Sequence, residues 1–171
     1  AAQGRPADTV VFLDVDGVLH SLYGEDLFRP TCCALLERVV RATGASIVLS
    51  STWRLCAKKM AMLNDVLQQW QLAPPIDCTR NLEVAREVEI CEWLDRHPGV
   101  VRWIAIDDMD LQSRTTVHAH RMRGHFVRTH CDHGLIERDA ELALQLLGAP
   151  LPSPAARDRP AAGPASPPVL A

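Results

Sequence analysis

The chain reads as an α/β protein, a three-layer Rossmann-like arrangement in which a parallel sheet is flanked by helices. Three observations predict it. Short apolar runs alternate with longer segments of helical periodicity. The apolar runs are continuous, as expected of strands covered on both faces. Three of the runs end in acidic or hydroxyl residues. With 171 residues, 47% hydrophobic and 23% charged, there is enough apolar material for one core.

The first run, 9–15, is rich in Val and Phe and leads into Asp14-Val15-Asp16-Gly17. A helix is expected over 30–42, with Pro30 in the first turn, where its missing N–H costs nothing, and Gly44 as the stop. The second strand, 45–49, closes on Ser50-Ser51. Helical periodicity resumes over 56–71 and is broken by Pro74-Pro75. Another helix is expected over 84–96, with Ile90, Trp93 and Leu94 on one face and His97-Pro98-Gly99 ending it. The strand 101–106 then reaches Asp107-Asp108. A short strand at 125–128, a turn at Gly134 and a helix over 137–147 complete a core spanning 9–149. It lies between a flexible segment 1–8 and a Pro/Ala-rich tail 150–171, too poor in apolar surface to fold.

A net charge of -3 excludes a general nucleic-acid binder, which carries a basic excess. No apolar run approaches the ~20 residues of a membrane span. The six cysteines are scattered through regular elements rather than spaced as a disulfide framework. Together with an N-terminus lacking the features of a secretory signal, this makes an intracellular, cytoplasmic setting the expectation.

In an open parallel sheet, ligands bind at the C-terminal strand ends. Asp14 and Asp16 share one such end, and both reach one cleft if the chain turns at Gly17. Asp107 and Asp108 bring further carboxylates, which repel one another unless a cation is present. A hard divalent cation fits, and Mg²⁺ held by Asp14, Asp16, Asp107 and Asp108 is the expected cofactor. Ser50 or Ser51 supplies a hydroxyl at the neighbouring end, Ser50 being favoured because it follows the apolar run directly. Trp53 and Arg54, just beyond, are candidate substrate contacts alongside Ser51.

Phe12-Leu13-Asp14-Val15-Asp16-Gly17-Val18-Leu19 resembles the first motif of the haloacid-dehalogenase-like (HAD) hydrolase superfamily. Ile47-Val48-Leu49-Ser50 and Ile104-Ala105-Ile106-Asp107-Asp108 resemble its second and fourth motifs. The third is a Lys or Arg, matched best by Arg86, with Arg80 as the substitute. Ser50-Ser51-Thr52-Trp53-Arg54, the segment from Arg86 through Trp93-Leu94, and Val127-Arg128-Thr129 resemble the HAD domain found in Swiss Army Knife RNA repair-like proteins. The likeness runs from Val10 to Leu147.

The resemblance implies a Mg²⁺-dependent phosphatase. Asp14 would attack phosphorus and Asp16 would protonate the leaving oxygen and later activate water. Ser50 and Arg86 would bind the phosphoryl group. The metal would sit on Asp14, Asp108 and the backbone carbonyl of Asp16, with Asp107 behind Asp108. A receiver-like phosphoacceptor is the alternative, opposed by the order of the acidic motifs; a non-catalytic phosphate- or nucleic-acid-binding scaffold is another. The spare stretches 20–29 and 71–83 fall below the ~40 residues of an independent domain, so no large cap should cover the cleft. The segment 112–130 carries Arg114, Arg121, Arg123 and Arg128 without an acidic residue, and Arg121 and Arg123 are expected to steer a phosphorylated substrate, conceivably a nucleic-acid end. Most of the seven histidines fall in 118–133, but their spacing does not match the common zinc patterns, and a polar loop is expected there.

Overall fold

The computed structural model describes residues 8–113 and 116–149. But for Asp8, the two expected flexible segments lie outside the described residues, as does Arg114. Five strands form one parallel sheet: β1 (Thr9–Leu13), β2 (Ser46–Leu49), β3 (Asp77–Cys78), β4 (Arg102–Asp107) and β5 (Phe126–Arg128), in the order β3-β2-β1-β4-β5. Three helices connect the first four strands, α1 (Pro30–Thr43), α2 (Ala57–Gln69) and α3 (Arg86–Arg96), and α4 (Glu137–Leu146) follows β5.

Strand alternation divides the core in two. Val11 and Leu13 of β1, with Ile47, Leu49, Ile104, Ile106 and Val127, face α1, α2 and α4. Val10 and Phe12, with Val48, Ala105 and Phe126, face Ile90, Trp93 and Leu94 of α3. Every residue of β1 is buried, which is why its sequence is unbroken Val, Phe and Leu beyond Thr9. α1 begins at Pro30 and ends at Gly44, which takes a left-handed conformation (φ 67°) open to glycine without steric cost.

The expected elements are present with ends shifted by a residue or two, and β3 is an addition. At two residues, with an acidic Asp77, it carries no apolar run to reveal it. The first strand stops at Leu13 rather than continuing to residue 15, because the chain turns at Asp14. No separate cap domain is inserted among the described elements.

Chain order reverses beside β1: the chain moves outward through β2 and β3, then α3 carries it back to β4 on the other side. That reversal opens a crevice above the C-terminal ends of β1 and β4. The register makes a row of the strand ends. Leu13 stands beside Leu49 and Ile106, so the next residues, Ser50, Asp14 and Asp107, follow side by side, with Arg128 opposite Asp107.

Candidate active site

Asp14 is buried, and one of its oxygens, Oδ2, lies 2.7 Å from Nη1 of Arg86. The same nitrogen is 2.7 Å from Oδ2 of Asp107. Arg86 opens α3, so the return crossover from β3 delivers a guanidinium to the crevice as it begins its helix. Burial opposes the Arg86 charge, but Asp107 and then Asp14 outweigh it and raise its pKa. Arg80, the other candidate, pairs instead with Glu92 on the exposed side of α3.

The ligand oxygens of Asp14, Asp107 and Asp108 all lie within 4.8 Å of one another. Asp107 is almost fully enclosed; burial first, and then the charge of Asp14, push its pKa up to about 7 despite Arg86. Its other oxygen accepts the N–H of Met109 at 2.8 Å. Burial and the proximity of Asp14 also raise the pKa of Asp108, which is half-buried. One guanidinium among three carboxylates leaves them mutually repelling, so this donor set fits a hard divalent cation such as Mg²⁺. Asp108, whose oxygens are less committed, is the better placed of the acidic pair to act as a ligand. Gly17 makes the approach possible: a Cβ there would stand 2.6 Å from Cγ of Asp108, and its φ of +72° suits glycine. Thr129 donates its hydroxyl to the Gly17 carbonyl at 2.7 Å and holds this turn against β5.

Asp16 is not part of the three-carboxylate group. Its Oδ1 lies 3.0 Å from Nε2 of His20, and its Oδ2 accepts the indole N–H of Trp53 at 2.9 Å. His20 was missed in the sequence; its spacing of four residues from Asp16 was the available signal.

Ser50 and Ser51 part company. Ser51 Oγ accepts the N–H of Trp53 and caps the 3-10 turn Thr52–Leu55. Ser50 Oγ is buried, with no hydrogen-bond partner among the described residues. An orphaned buried hydroxyl beside Asp14 is the kind of group a ligand satisfies.

Five expected substrate contacts are corrected. Ser51 is fully buried and occupied by its turn. Trp53 is buried, its ring packed on Phe28 and His20 rather than facing a substrate. Arg54 is bound to Glu89 of α3 at 2.8 Å and to the Ser51 carbonyl at 2.6 Å, an enclosed pair linking the turn to the helix. Arg121 pairs with Asp95 in the last turn of α3, the far end from Arg86 and roughly 13 Å along the helix at 1.5 Å per residue. Arg123 precedes β5, also near the opposite edge of the sheet, because local charge does not say to which strand end a loop returns. Among the described residues of this segment, Arg128 is the cation at the crevice, where it donates to the Asp108 carbonyl and pairs with Asp110. On the exposed turn after β5, His130, Cys131 and Asp132 also bring ligand atoms within 4.8 Å, without His118 or His120.

No described helix is long and apolar enough to cross a membrane, and all six cysteines are free. No curated protein matches the chain in sequence. The family model for the HAD domain in Swiss Army Knife RNA repair proteins matches residues 10–140, which take in Asp14, Ser50, Arg86 and Asp107-Asp108, and the chain belongs to that HAD family.

Proposed function

We propose that the protein is a Mg²⁺-dependent phosphoric monoester hydrolase that works through an aspartyl-phosphate on Asp14. The observation that carries this reading is the pairing of Asp14 with Arg86 at the edge where Asp107 and Asp108 converge. Arg86 pairs with the nucleophile Asp14 and offers donors to phosphoryl oxygens. The orphaned hydroxyl of Ser50 provides one more donor in the same row.

In the first step an Asp14 oxygen bonds to phosphorus, the bond to the leaving oxygen breaks, and Asp16 gives that oxygen its proton. In the second, Asp16 takes a proton from water, the water oxygen attacks phosphorus, and Asp14 is released with inorganic phosphate. Bound Mg²⁺, held by Asp14 and Asp108 with the Asp16 carbonyl, would lower the charge repulsion between nucleophile and phosphate. The family description names RNA repair, which supports phosphorylated RNA ends as a substrate class to test beside small phosphomonoesters.

The test is turnover of a panel of phosphorylated sugars, nucleotides and RNA ends, with and without chelator, by the parent chain and by Asp14→Asn. The expected result is Mg²⁺-dependent phosphate release by the parent, loss of it in the variant, and acid-stable mass addition of phosphate to Asp14 during turnover. Parent-like turnover in Asp14→Asn, or phosphate on a Ser or His, overturns the reading.

A further inference from the structure

We propose that His20 and Trp53 are positioning residues that clamp the proton-transfer carboxylate of Asp16, a role that rests on the phosphotransfer reading above. Both side chains are enclosed, each 2% exposed, and each spends its one available N–H on a different oxygen of Asp16. The directions follow from chemistry. An indole nitrogen only donates. His20 Nδ1 accepts the Phe28 N–H at 3.4 Å, which leaves the ring proton on Nε2, facing Asp16.

The clamp is itself supported. Trp53 is fixed through its backbone N–H on Ser51 Oγ, and its ring meets Phe28 at 5.4 Å between centroids. Phe28 meets His20 edge-on at 5.5 Å and adopts a left-handed backbone (φ 56°), uncommon for a bulky residue. Three aromatic rings therefore close around one side of a carboxylate whose own side chain is 33% exposed. A single N–H would leave Asp16 free to swing about its side-chain torsions; two, on different oxygens, fix both its position and the plane of the carboxylate. Of the four lone-pair sites of a carboxylate, two stay open for the proton in transit.

Orientation of a proton-transfer group is part of its contribution of about 10²–10⁴-fold. Removing one jaw should therefore lower kcat about 10- to 100-fold with little change in KM. The variants are His20→Leu, which deletes the donor, His20→Gln, whose amide N–H can restore it, and Trp53→Phe, which keeps a ring but loses the indole N–H. On an alkyl phosphate, whose leaving group needs the proton, His20→Leu and Trp53→Phe should slow formation of the intermediate. On p-nitrophenyl phosphate they should give a burst of nitrophenol, slow turnover and accumulated phospho-Asp14, since only the second step then needs Asp16. His20→Gln should recover most of the loss. Equal losses on both substrates without a burst, or unchanged kcat, overturn the clamp.

A second measurement does not depend on turnover. The indole N–H resonance that vanishes in Trp53→Phe should move upfield in Asp16→Ala, and an unmoved resonance also overturns the clamp. Failure of the parent to label Asp14 at all, with the resonance moving as expected, faults the phosphotransfer reading instead and leaves the Asp16 contacts established.

Discussion

Replacing Gly17 by Ala should separate the metal site from the fold. The new Cβ would stand 2.6 Å from Cγ and 2.7 Å from Oδ2 of Asp108. Carbon atoms rest about 3.5–4.0 Å apart, so the carboxylate must retreat by about 1 Å. Mg²⁺ requires oxygen ligands at about 2.0–2.1 Å in a nearly octahedral array, and a displacement of this size removes Asp108 from it. Affinity for Mg²⁺ should fall roughly 10- to 100-fold, the scale on which disturbing the support of a ligand is felt. Independently, a side chain at φ +72° costs about 1–2 kcal/mol of backbone energy, or about 2–8 °C in melting temperature for a domain of this size. Gly44→Ala supplies the control, because Gly44 has a similar φ of +67° and nothing within 4 Å of its would-be Cβ. Calorimetric Mg²⁺ titration and thermal melts of the two variants should show similar losses of stability and a loss of Mg²⁺ affinity confined to Gly17→Ala. Parent-like Mg²⁺ binding by Gly17→Ala, or an equal loss in Gly44→Ala, would refute the assignment of Asp108 as a ligand held in place by Gly17.

Arg86→Gln removes the cation between Asp14 and Asp107 and should cost about 3–5 kcal/mol, because breaking a buried pair strands its partners; a melt in chelator against one in Mg²⁺ should show a larger metal-dependent recovery than in the parent. Asp107 titrates near 7 in the fold and at 3.8 in an open chain, so the folded state holds the extra proton between those values. The stability this proton contributes to the chelator-treated protein should therefore be full below about pH 4 and fade as pH rises to about 7, while Mg²⁺ affinity rises over the same window with proton release, both readable by melts and by calorimetry in buffers of different ionisation heat. Arg121→Ala with Arg123→Ala should leave the salt dependence of kcat/KM on a phosphorylated oligonucleotide unchanged and shift the melt by no more than about 1 kcal/mol, since the one ion pair lost is exposed.

Much of this site was legible in the sequence for a geometric reason. A sheet covered on both faces needs unbroken apolar strands, so the first polar residue after each run marks the strand end, and parallel register puts those ends in one row. Asp14, Ser50 and Asp107 follow from that alone. What was not legible depended on contacts between loops. Arg54 reads as an exposed cation after a motif, yet Glu89 on α3 draws it into an enclosed pair. Trp53 reads equally well as packing or as substrate contact, and its indole N–H finds Asp16 only because the 3-10 turn folds back toward β1. The strand β3 is too short to leave a pattern, and the basic segment gives no sign of which end of α3 it will meet.

The charges at the crevice also constrain the order of events. With Asp107 ionised, Asp14, Asp107 and Asp108 outnumber Arg86 and leave a surplus of two negative charges in a largely enclosed space. A phosphomonoester dianion meeting that surplus is repelled, and Arg128 at the neighbouring strand end is already engaged with Asp110. A divalent cation cancels the surplus, and it also favours the ionised forms of Asp107 and Asp108 that burial opposes. Substrate should therefore bind productively to the metal-loaded chain and weakly to the metal-free one, so that raising Mg²⁺ lowers KM as well as restoring kcat. Asp16 stands apart from this balance, because its two oxygens meet the N–H groups of His20 and Trp53 rather than the other carboxylates. The fold thus separates the three clustered carboxylates from Asp16, although Asp14 and Asp16 are separated by a single residue, because the turn at Asp14 sends their side chains to α3 on one side and to the aromatic cluster on the other.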